Sequence, residues 1–372
     1  MWPIIFLTVN LTVIAGLIWM AFAVCRFHHV ARIVPRKWWK RMLIGVLIVI
    51  SIMVALHFAL GFVNMVIVFL HLLIIWMICD AIAWVMEKVK GQGKHYYSGI
   101  CAIAFTVLWL GIGWYNAHDV KRTEYNLLTD KKLGIDSLKV VGFSDSHVGA
   151  TFHWQEFEQY IERINMENPD IVVIVGDYVD DDTSKEDMER SCEALKKLKT
   201  RYGVYYVYGN HDEGYWSKNR RGYTIEDLDR HLEQNNVRIL RDETVAITGN
   251  VLLCGRLDKS YSDIKGKGRE SASFLMANAK GKYVICLDHQ PNHYAEEADS
   301  NMDLVLSGHT HGGQFLGLGN IGVWMGANDA YYGYERRKNT DFIVSSGIGD
   351  WAIDFKTGCI SEYIVVNIKG KN

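Results

Sequence analysis

Apolar residues divide the chain into two unequal parts. The first part, up to about residue 118, is mostly apolar and aromatic, whereas residues 119–372 alternate apolar runs with charged and turn-forming stretches. Four apolar runs in the first part are long enough to cross a hydrocarbon core of about 30 Å as helices, which takes roughly 20 residues each. They cover approximately residues 2–25, 42–60, 64–86 and 96–117. Residues 1–118 are therefore predicted to form a four-helix transmembrane region, with a tight turn at 61–64.

Basic residues indicate how this region is oriented. Six lie between the first two spans and three between the last two: Arg26, Arg32, Arg36, Lys37, Lys40 and Arg41, and then Lys88, Lys90 and Lys94. The turn at 61–64 carries none. Because loops rich in lysine and arginine stay in the cytoplasm, both basic loops are expected there. This predicts a multi-pass protein of the cell membrane with residues 119–372 on the extracytoplasmic side.

Three ionisable residues lie inside the predicted spans: His57, His71 and Asp80. Ionisable groups in a membrane are costly and often functional. Interhelical hydrogen bonding is the favoured interpretation of the two histidines, with a haem or ion site as the alternative. Their roles, and that of Asp80, remain open.

Residues 119–136 are predicted to form a linker, and 137–372 to form one folded domain. Short runs rich in Val, Ile and Tyr are typical of buried strands, and they cover residues 138–143, 171–175, 203–208, 251–254, 283–287, 304–306, 342–344 and 363–367. Apolar residues at helical spacing predict helices at 154–168, 185–200 and 225–234, the last with Thr224 as N-cap. This order of elements predicts an α/β fold of packed sheets with helices outside.

Metal-binding residue types follow five of these strands. In chain order they are Asp145 and His147, Asp177, Asn210, His289, and His309 and His311. Each of these motifs directly follows a predicted strand, and several of them include a glycine. The ends of strands in α/β sheets converge on one crevice. Any one of these motifs is weak evidence, but five of them in strand-end positions predict one shared site.

The residue types also indicate which ions would bind. Carboxylates, an amide oxygen and imidazoles suit Mn, Fe or Zn better than Mg or Ca. The set contains no cysteine, which argues against a structural zinc site. An aspartate can bridge two divalent ions, and such a pair acidifies a water to hydroxide and clamps a phosphate during in-line displacement. The predicted cofactors are therefore two divalent metal ions.

These motifs, in this order, resemble the calcineurin-like metallophosphoesterase superfamily over roughly residues 137–368. The resemblance is greatest to its bacterial membrane-associated phosphoesterase branch, through Leu-Ser-Gly-His-Thr-His-Gly-Gly-Gln at 306–314 and Ser-Ser-Gly-Ile-Gly at 345–349. It implies a four-layer α/β/β/α sandwich. It also implies that one metal is bound by Asp145, His147 and His311 and the other by Asn210, His289 and His309, with Asp177 bridging them.

The resemblance implies catalytic roles for two further residues. His211 is expected to donate a proton to the leaving oxygen or to stabilise the phosphoryl oxygens, and Asp212 to orient its ring. Asp288, which precedes a metal-binding histidine, is either a second orienting carboxylate or a strand-end turn residue. The activity implied is that of a phosphomonoesterase or phosphodiesterase.

Several observations bear on partners. A net charge of −2 without a basic stripe gives no indication of nucleic-acid binding, so no nucleic-acid partner is expected. Seven scattered cysteines without CxxC spacing favour free thiols, with one disulfide among Cys192, Cys254, Cys286 and Cys359 left open. The oligomeric state is not indicated.

The substrate is less determined than the chemistry. Aromatic and basic residues follow His211, and they suit either a phosphate or lipid headgroup or a solvated loop: Tyr215, Trp216, Lys218, Arg220 and Arg221. A short linker would keep the site near the bilayer, which favours a lipid-linked phosphate. Two alternatives remain, a lipid pyrophosphatase of the diacylglucosamine diphosphate type and a non-enzymatic metal-binding membrane receptor with a vestigial domain.

Overall fold

The computed structural model describes residues 2–34, 37–90, 96–214, 221–260 and 268–371. The chain forms two compact units, Met1–Ile112 and Gly113–Asn372. The first unit is helical, with elements α1 (Trp2–Val24), α2 (His28–Ile33), α3 (Trp38–Lys90) and most of α4 (Ser98–His118). Within the described ranges, α1, α3 and α4 are long and apolar enough to cross a membrane.

The long helix α3 reverses direction at Gly61. This residue has φ 80° and ψ 170°, a conformation outside the helical region that glycine adopts at no steric cost. The Cys25 thiol donates to the carbonyl of Arg41 at 3.5 Å, and the next residue, Arg26, pairs with Asp80 at 2.5 Å. A straight helix would separate residues 41 and 80 by about 58 Å. The two halves of α3 therefore fold back on one another, at the position where the sequence predicts the turn between the second and third spans.

Two of the three ionisable residues predicted inside the spans, His71 and Asp80, have polar partners within the first unit. Besides Arg26, the carboxylate of Asp80 accepts a hydrogen bond from the Ser98 hydroxyl at 2.6 Å. The Nδ1 atom of His71 bonds the Ile67 carbonyl one turn earlier on its own helix, at 2.9 Å. Asp80 on α3 is thus linked to α4 and to the segment that directly follows α1.

The second unit contains two mixed sheets. In the described residues its strands are β1 (Lys121–Thr129), β2 (Ser137–Phe143), β3 (Ile171–Val175), β4 (Val204–Val207), β5 (Val237–Ile239), β6 (Glu243–Ala246), β7 (Val251–Gly255), β8 (Tyr283–Leu287), β9 (Leu304–Ser307), β10 (Gly333–Arg337), β11 (Thr340–Val344) and β12 (Glu362–Gly370). The first sheet has the order β1-β12-β2-β3-β4-β5 and the second β10-β11-β9-β8-β7-β6. The helices are α5 (Trp154–Met166), α6 (Lys185–Leu195), α7 (Ile225–Gln234), α8 (Ala272–Leu275), α9 (Tyr294–Asp299) and α10 (Ile321–Trp324).

The sheets and helices form four layers. Alternate residues of one strand point to opposite faces, and in β3 Val173 lies in the core between the sheets while Val172 and Ile174 pack under α5, α6 and α7. In β8, Ile285 joins the central core and Cys286 packs on the α8 and α9 side. Because both faces are covered, these strands are apolar at every position. The predicted α/β/β/α sandwich is confirmed.

Some elements differ from the prediction. The stretch 119–136, predicted as a linker, contains β1, whose residues pair in parallel with β12 from Lys121↔Glu362 to Thr129↔Gly370. Helix α6 ends at Leu195 instead of Thr200. Thr224 caps α7 as predicted, since its hydroxyl accepts from the Asp227 backbone. All seven cysteines are free thiols, so the structure contains none of the disulfides left open above.

Candidate metal centre

The seven predicted ligands lie at the carboxyl ends of parallel strands in both sheets. Asp145 and His147 follow β2, Asp177 follows β3 and Asn210 follows β4, while His289 follows β8 and His309 and His311 follow β9. A backbone-to-side-chain hydrogen bond joins the loops of the two sheets at this point, because the His309 backbone amide donates to the Asp145 carboxylate at 2.9 Å. The predicted ligands are therefore brought to one place.

Six of these side chains form two clusters, each with its ligand atoms within 4.8 Å of one another. One cluster is Asp145, His147 and His311, and the other is Asp177, His289 and His309. Asp177 lies between them: its Oδ2 atom is 3.0 Å from His289 Nε2 in its own cluster and 3.7 Å from His147 Nε2 in the other. This is the position that a bridging carboxylate requires.

A buried ligand nitrogen of the centre lacks a hydrogen-bond partner, whose place a metal ion would take. The Nε2 atom of His147 is fully buried and forms no hydrogen bond with the described residues, since the Asp177 Oδ2 atom is 3.7 Å away. A buried imidazole nitrogen without a partner is costly, and a cation in this cluster would satisfy it. Asn210 is nearly buried on the same loop as His211, whose backbone amide donates to Asp177 Oδ1 at 2.8 Å.

Each of three histidines has its other ring nitrogen fixed. His147 Nδ1 lies 3.2 Å from Asp180 Oδ2, and His311 Nδ1 lies 2.9 Å from Asp350 Oδ1 and 3.3 Å from the Gly349 carbonyl oxygen. His289 Nδ1 donates to the Val175 carbonyl at 2.8 Å. These contacts set the tautomer that directs Nε2 at the metal position and raise the basicity of the ligand. Sequence reasoning did not assign Asp180 or Asp350, although Asp180 stands three residues after Asp177.

The backbone at the ligands adopts an uncommon conformation. Five ligands have positive φ: Asp145 (51°), His147 (39°), Asp177 (51°), His309 (71°) and His311 (47°). Each such residue costs roughly 1–3 kcal/mol and persists only where the surrounding structure imposes it. A concentration of these residues in one site is typical of preorganised functional loops.

Two glycines allow these loops to approach closely. A Cβ atom on Gly209 would lie 2.1 Å from Asp177 Oδ1, and one on Gly308 would lie 2.3 Å from Asp145 Oδ2. Both distances are far inside van der Waals contact, so neither position accepts a side chain without moving a ligand. The glycines beside the ligands are therefore part of the site's construction.

The structure corrects the predicted role of Asp212. Its carboxylate is fully buried and accepts hydrogen bonds from the backbone amides of Gly209, Asp177, Tyr178 and Val179 at 2.6–3.1 Å. A carboxylate offers about four acceptor positions, and these four amides occupy them. Asp212 consequently holds together the loops that carry the ligands, instead of orienting the ring of His211.

His211 lies at the mouth of the centre. Its ring centroid is 5.1 Å from that of His147 and 5.8 Å from that of Trp351. Burial lowers the pKa of His211, which favours the neutral imidazole. A neutral ring can still donate one N–H to a phosphoryl oxygen.

The pKa values of two histidines in the centre are shifted in opposite directions. Burial, reinforced by His289, lowers the pKa of His309 to about 3, so this ring is neutral and able to bind a metal. Burial also disfavours charge on His147, but the hydrogen bond to Asp180 and the charge of Asp177 outweigh it and raise the pKa of His147 to about 9. The carboxylates therefore attract positive charge to this position, as a proton or as a metal ion.

Asp288 has a structural role. It pairs with the buried Arg256 at 3.3 Å and with Arg269 at 2.9 Å. Arg256 also pairs with Glu297 at 3.0 Å. The Nδ1 atom of His289 bonds a backbone carbonyl, so Asp288 does not orient this ring. Of its two predicted roles, the structure favours that of a strand-end residue, whose carboxylate belongs to a buried ion-pair cluster.

Part of the predicted substrate segment lies outside the described residues, namely Tyr215, Trp216, Lys218 and Arg220. Arg221 is described and is almost fully buried. Its guanidinium donates to the backbone carbonyls of Asp212 and Glu213, each at 2.9 Å. Arg221 thus stabilises the backbone directly after His211 through these two hydrogen bonds.

Comparison with known proteins gives consistent matches. The family model described as calcineurin-like phosphoesterase matches residues 138–313, which include all seven predicted ligands. An uncharacterised metallophosphoesterase of Campylobacter jejuni is 31% identical over 253 residues, covering 68% of this chain and 64% of its own. One from Aquifex aeolicus is 30% identical over 252 residues, covering 67% of this chain and 91% of its own. A transmembrane protein with metallophosphoesterase domain from Danio rerio is 29% identical over 245 residues, covering 63% of this chain and 54% of its own. The chain thus spans less than two thirds of the length of the first and third of these relatives.

Proposed function

The chain belongs to the calcineurin-like metallophosphoesterase family, and we propose that it is a membrane-anchored hydrolase of phosphate esters that uses two divalent metal ions. The observation that carries the proposal is the pair of adjacent ligand clusters with Asp177 between them. We assign Asp145, His147 and His311 to one ion and Asn210, His289 and His309 to the other. The donor set suits Mn, Fe or Zn.

Bound in these clusters, the ions would neutralise phosphoryl charge and acidify a water molecule. Residues of the chain would orient the metal ligands and contact the substrate. Asp180 and Asp350 hold the rings of His147 and His311, and Asp212 fixes the loops that carry Asp177 and Asn210. His211 stands beside His147, where its N–H can reach an oxygen of the substrate. Its lowered pKa favours the second role predicted for it, hydrogen bonding to phosphoryl oxygens.

The non-enzymatic alternative is less well supported. A receptor with a vestigial domain would be free to lose ligands, yet six of the seven predicted ligands form two clusters, and carboxylates orient two histidines of the first cluster. The preorganised backbone at five ligands argues in the same direction, because it is costly to maintain.

A lipid-linked phosphate is the substrate class that we favour. The end of α4 belongs to the same compact unit as the metal centre, and β1 follows it after only two residues. The Lys356 amide donates to the Gly113 carbonyl at 2.9 Å, and the Asn116 amide donates to the Lys356 carbonyl at 3.2 Å. The end of an apolar helix is thus built into the catalytic unit, which supports action close to a bilayer.

We further propose four membrane crossings, with the catalytic unit on the extracytoplasmic side. The reversal of α3 at Gly61 supports the count, and the basic loops support the orientation. An external site disfavours the lipid pyrophosphatase alternative, because nucleotide-linked lipids are cytoplasmic.

The test uses full-length protein in lipid nanodiscs, loaded with Mn²⁺ and assayed on phosphomonoester, phosphodiester and lipid phosphate substrates. We expect hydrolysis with two ions bound per chain, and loss of both activity and metal in Asp177→Ala. Asp130→Asn is the matched control, because Asp130 is exposed and, among the residues that the structure describes, pairs with Lys371 at the surface. Full activity in Asp177→Ala would refute the assignment, and turnover of soluble esters alone would refute the lipid-linked substrate.

A further inference from the structure

The segment that follows the His309–His311 motif forms an exposed apolar surface, here called the 316–325 loop. Its exposed side chains are Leu316, Leu318, Ile321, Trp324 and Met325, and Trp324 is 74% exposed. No charged residue occurs from 315 to 328. A surface with clustered large apolar side chains and no charge is unusual on a soluble domain and indicates a binding surface.

This loop begins beside the end of helix α4. The Leu316 amide contacts the Thr357 hydroxyl at 3.5 Å, and the Thr357 amide donates to the Gln314 carbonyl at 2.9 Å. On the other side, Thr357 packs so closely on Gly113 that a Cβ there would lie 2.7 Å from its methyl group. One residue, Thr357, therefore separates the start of the loop from the helix.

The same end of α4 has the composition of a membrane interface. Trp114 and Tyr115 are both exposed, at the point where the apolar helix gives way to polar sequence. Tryptophan and tyrosine concentrate where membrane-spanning helices leave the hydrocarbon core. The two aromatic residues thus mark the level of the lipid headgroups, and the 316–325 loop starts at that level.

We propose that the 316–325 loop docks into the headgroup region of the leaflet that α4 enters, with Leu316, Leu318 and Trp324 as its inserted side chains. Its occupant is a lipid surface. Exposed tryptophan and leucine without nearby charge are the side chains that bury at the boundary of headgroups and acyl chains. The loop and α4 would then hold the domain at two points.

Docking has a consequence for the substrate, which rests on the proposed function. Gln314, at the start of the loop, donates to Asp350 at 3.0 Å, and the neighbouring Trp351 lies beside His211. The mouth of the metal centre therefore adjoins the docked surface. A phosphate at headgroup depth would reach the ions without leaving the bilayer.

Site-specific photo-crosslinking tests the docking independently of any activity. Full-length protein carries p-benzoylphenylalanine in place of Leu316 or Trp324 and is reconstituted into phosphatidylethanolamine and phosphatidylglycerol vesicles. Phe274 is the matched control position, since it is 63% exposed against 66% for Leu316. It lies in α8, next to the β6 edge of the second sheet, because the Thr244 hydroxyl donates to the Leu275 carbonyl at 3.0 Å.

After irradiation, mass spectrometry shows what each position contacts. We expect phospholipid adducts at Leu316 and Trp324, several-fold above those at Phe274, in protein whose melting temperature is unchanged. Equal adducts at all three positions would overturn the proposal. Adducts to a second copy of the chain would also overturn it and assign the loop to a dimer interface. Because no turnover is measured, these outcomes are distinguishable from a failure of the proposed function, which would leave the lipid adducts unchanged.

Discussion

Asp350 offers the sharpest test of how the centre is built. Its Oδ1 atom lies 2.9 Å from His311 Nδ1, and both Asp350 and the nearby Lys356 are fully buried. Orienting carboxylates of this kind contribute about 10–100-fold to metal affinity. Since an asparagine keeps the acceptor oxygen but loses the charge, we expect about a 10-fold loss in Asp350→Asn and about a 100-fold loss in Asp350→Ala. These losses correspond to about 1.4 and 2.8 kcal/mol.

The loss should be confined to one of the two ions. His311 belongs to the cluster with Asp145 and His147, whereas His289 takes its orientation from the Val175 carbonyl. Calorimetric titration of metal-free protein with Mn²⁺ should therefore show one site weakened and the other unchanged. Asp180→Asn, which acts on His147, should weaken the same site.

Two controls separate this effect from general destabilisation. Lys356 keeps hydrogen bonds to the carbonyls of Ser346 at 2.8 Å and Gly349 at 3.3 Å when Asp350 is replaced, so the fold should survive. Thermal unfolding of each variant checks this, and Asp130→Asn reports the effect of losing a surface carboxylate. Equal weakening of both sites, or no weakening in Asp350→Ala, would refute the reasoning.

Three further predictions concern the same centre. His211→Ala should slow hydrolysis of alkyl and p-nitrophenyl phosphate esters by similar factors, because His211 is proposed to bind phosphoryl oxygens. Steady-state kinetics measures both rates. A much larger loss with alkyl esters would instead identify His211 as the group that protonates the leaving oxygen. Gly308→Ala should cost roughly 1–3 kcal/mol and reduce bound metal, because its Cβ would lie 2.3 Å from Asp145 Oδ2; Gly249→Ala, where nothing lies within 4 Å, is the control for thermal unfolding and metal content. Below pH 9 the metal-free chain carries a proton on His147, which an ion bound by Asp145, His147 and His311 must displace. The affinity for this ion should therefore fall about tenfold per pH unit as the pH drops. Calorimetry in two buffers of different ionisation enthalpy should detect release of this proton at that site, and no release would contradict the raised pKa of His147.

The buried strands and the metal ligands could be predicted because each leaves a local signal. A strand covered on both faces, such as Ile171–Val175, is apolar at every position, and its end is marked by a glycine and a ligand. The turn at Gly61 is predicted in the same way, from the short separation at 61–64 between two apolar runs. These signals depend only on neighbouring residues.

What the sequence did not predict depends on contacts between distant residues. Strand β1 begins Lys-Arg-Thr-Glu and lies at a sheet edge, so its composition resembles a linker until its pairing with β12 is known. Asp350 is recognisable as an orienting carboxylate only once β9 has brought His311 beside it. For Asp212 the sequence suggested a contact that the structure does not show. Its place next to His211 suggested that it orients the His211 ring, whereas its carboxylate accepts from four backbone amides.

The pairing of β1 with β12 also determines when the molecule can be completed during its synthesis. Each residue of β1 pairs with one that is 241 positions later in the chain, as in Lys121↔Glu362. A nascent chain must therefore keep the β1 edge unpaired until the last strand has been synthesised. Pairing over such a distance is intrinsically slow and leaves an edge exposed to aggregation. Folding of this protein should accordingly depend on chaperones, and a premature stop codon before residue 362 should yield a chain that lacks β12 and is removed by proteases.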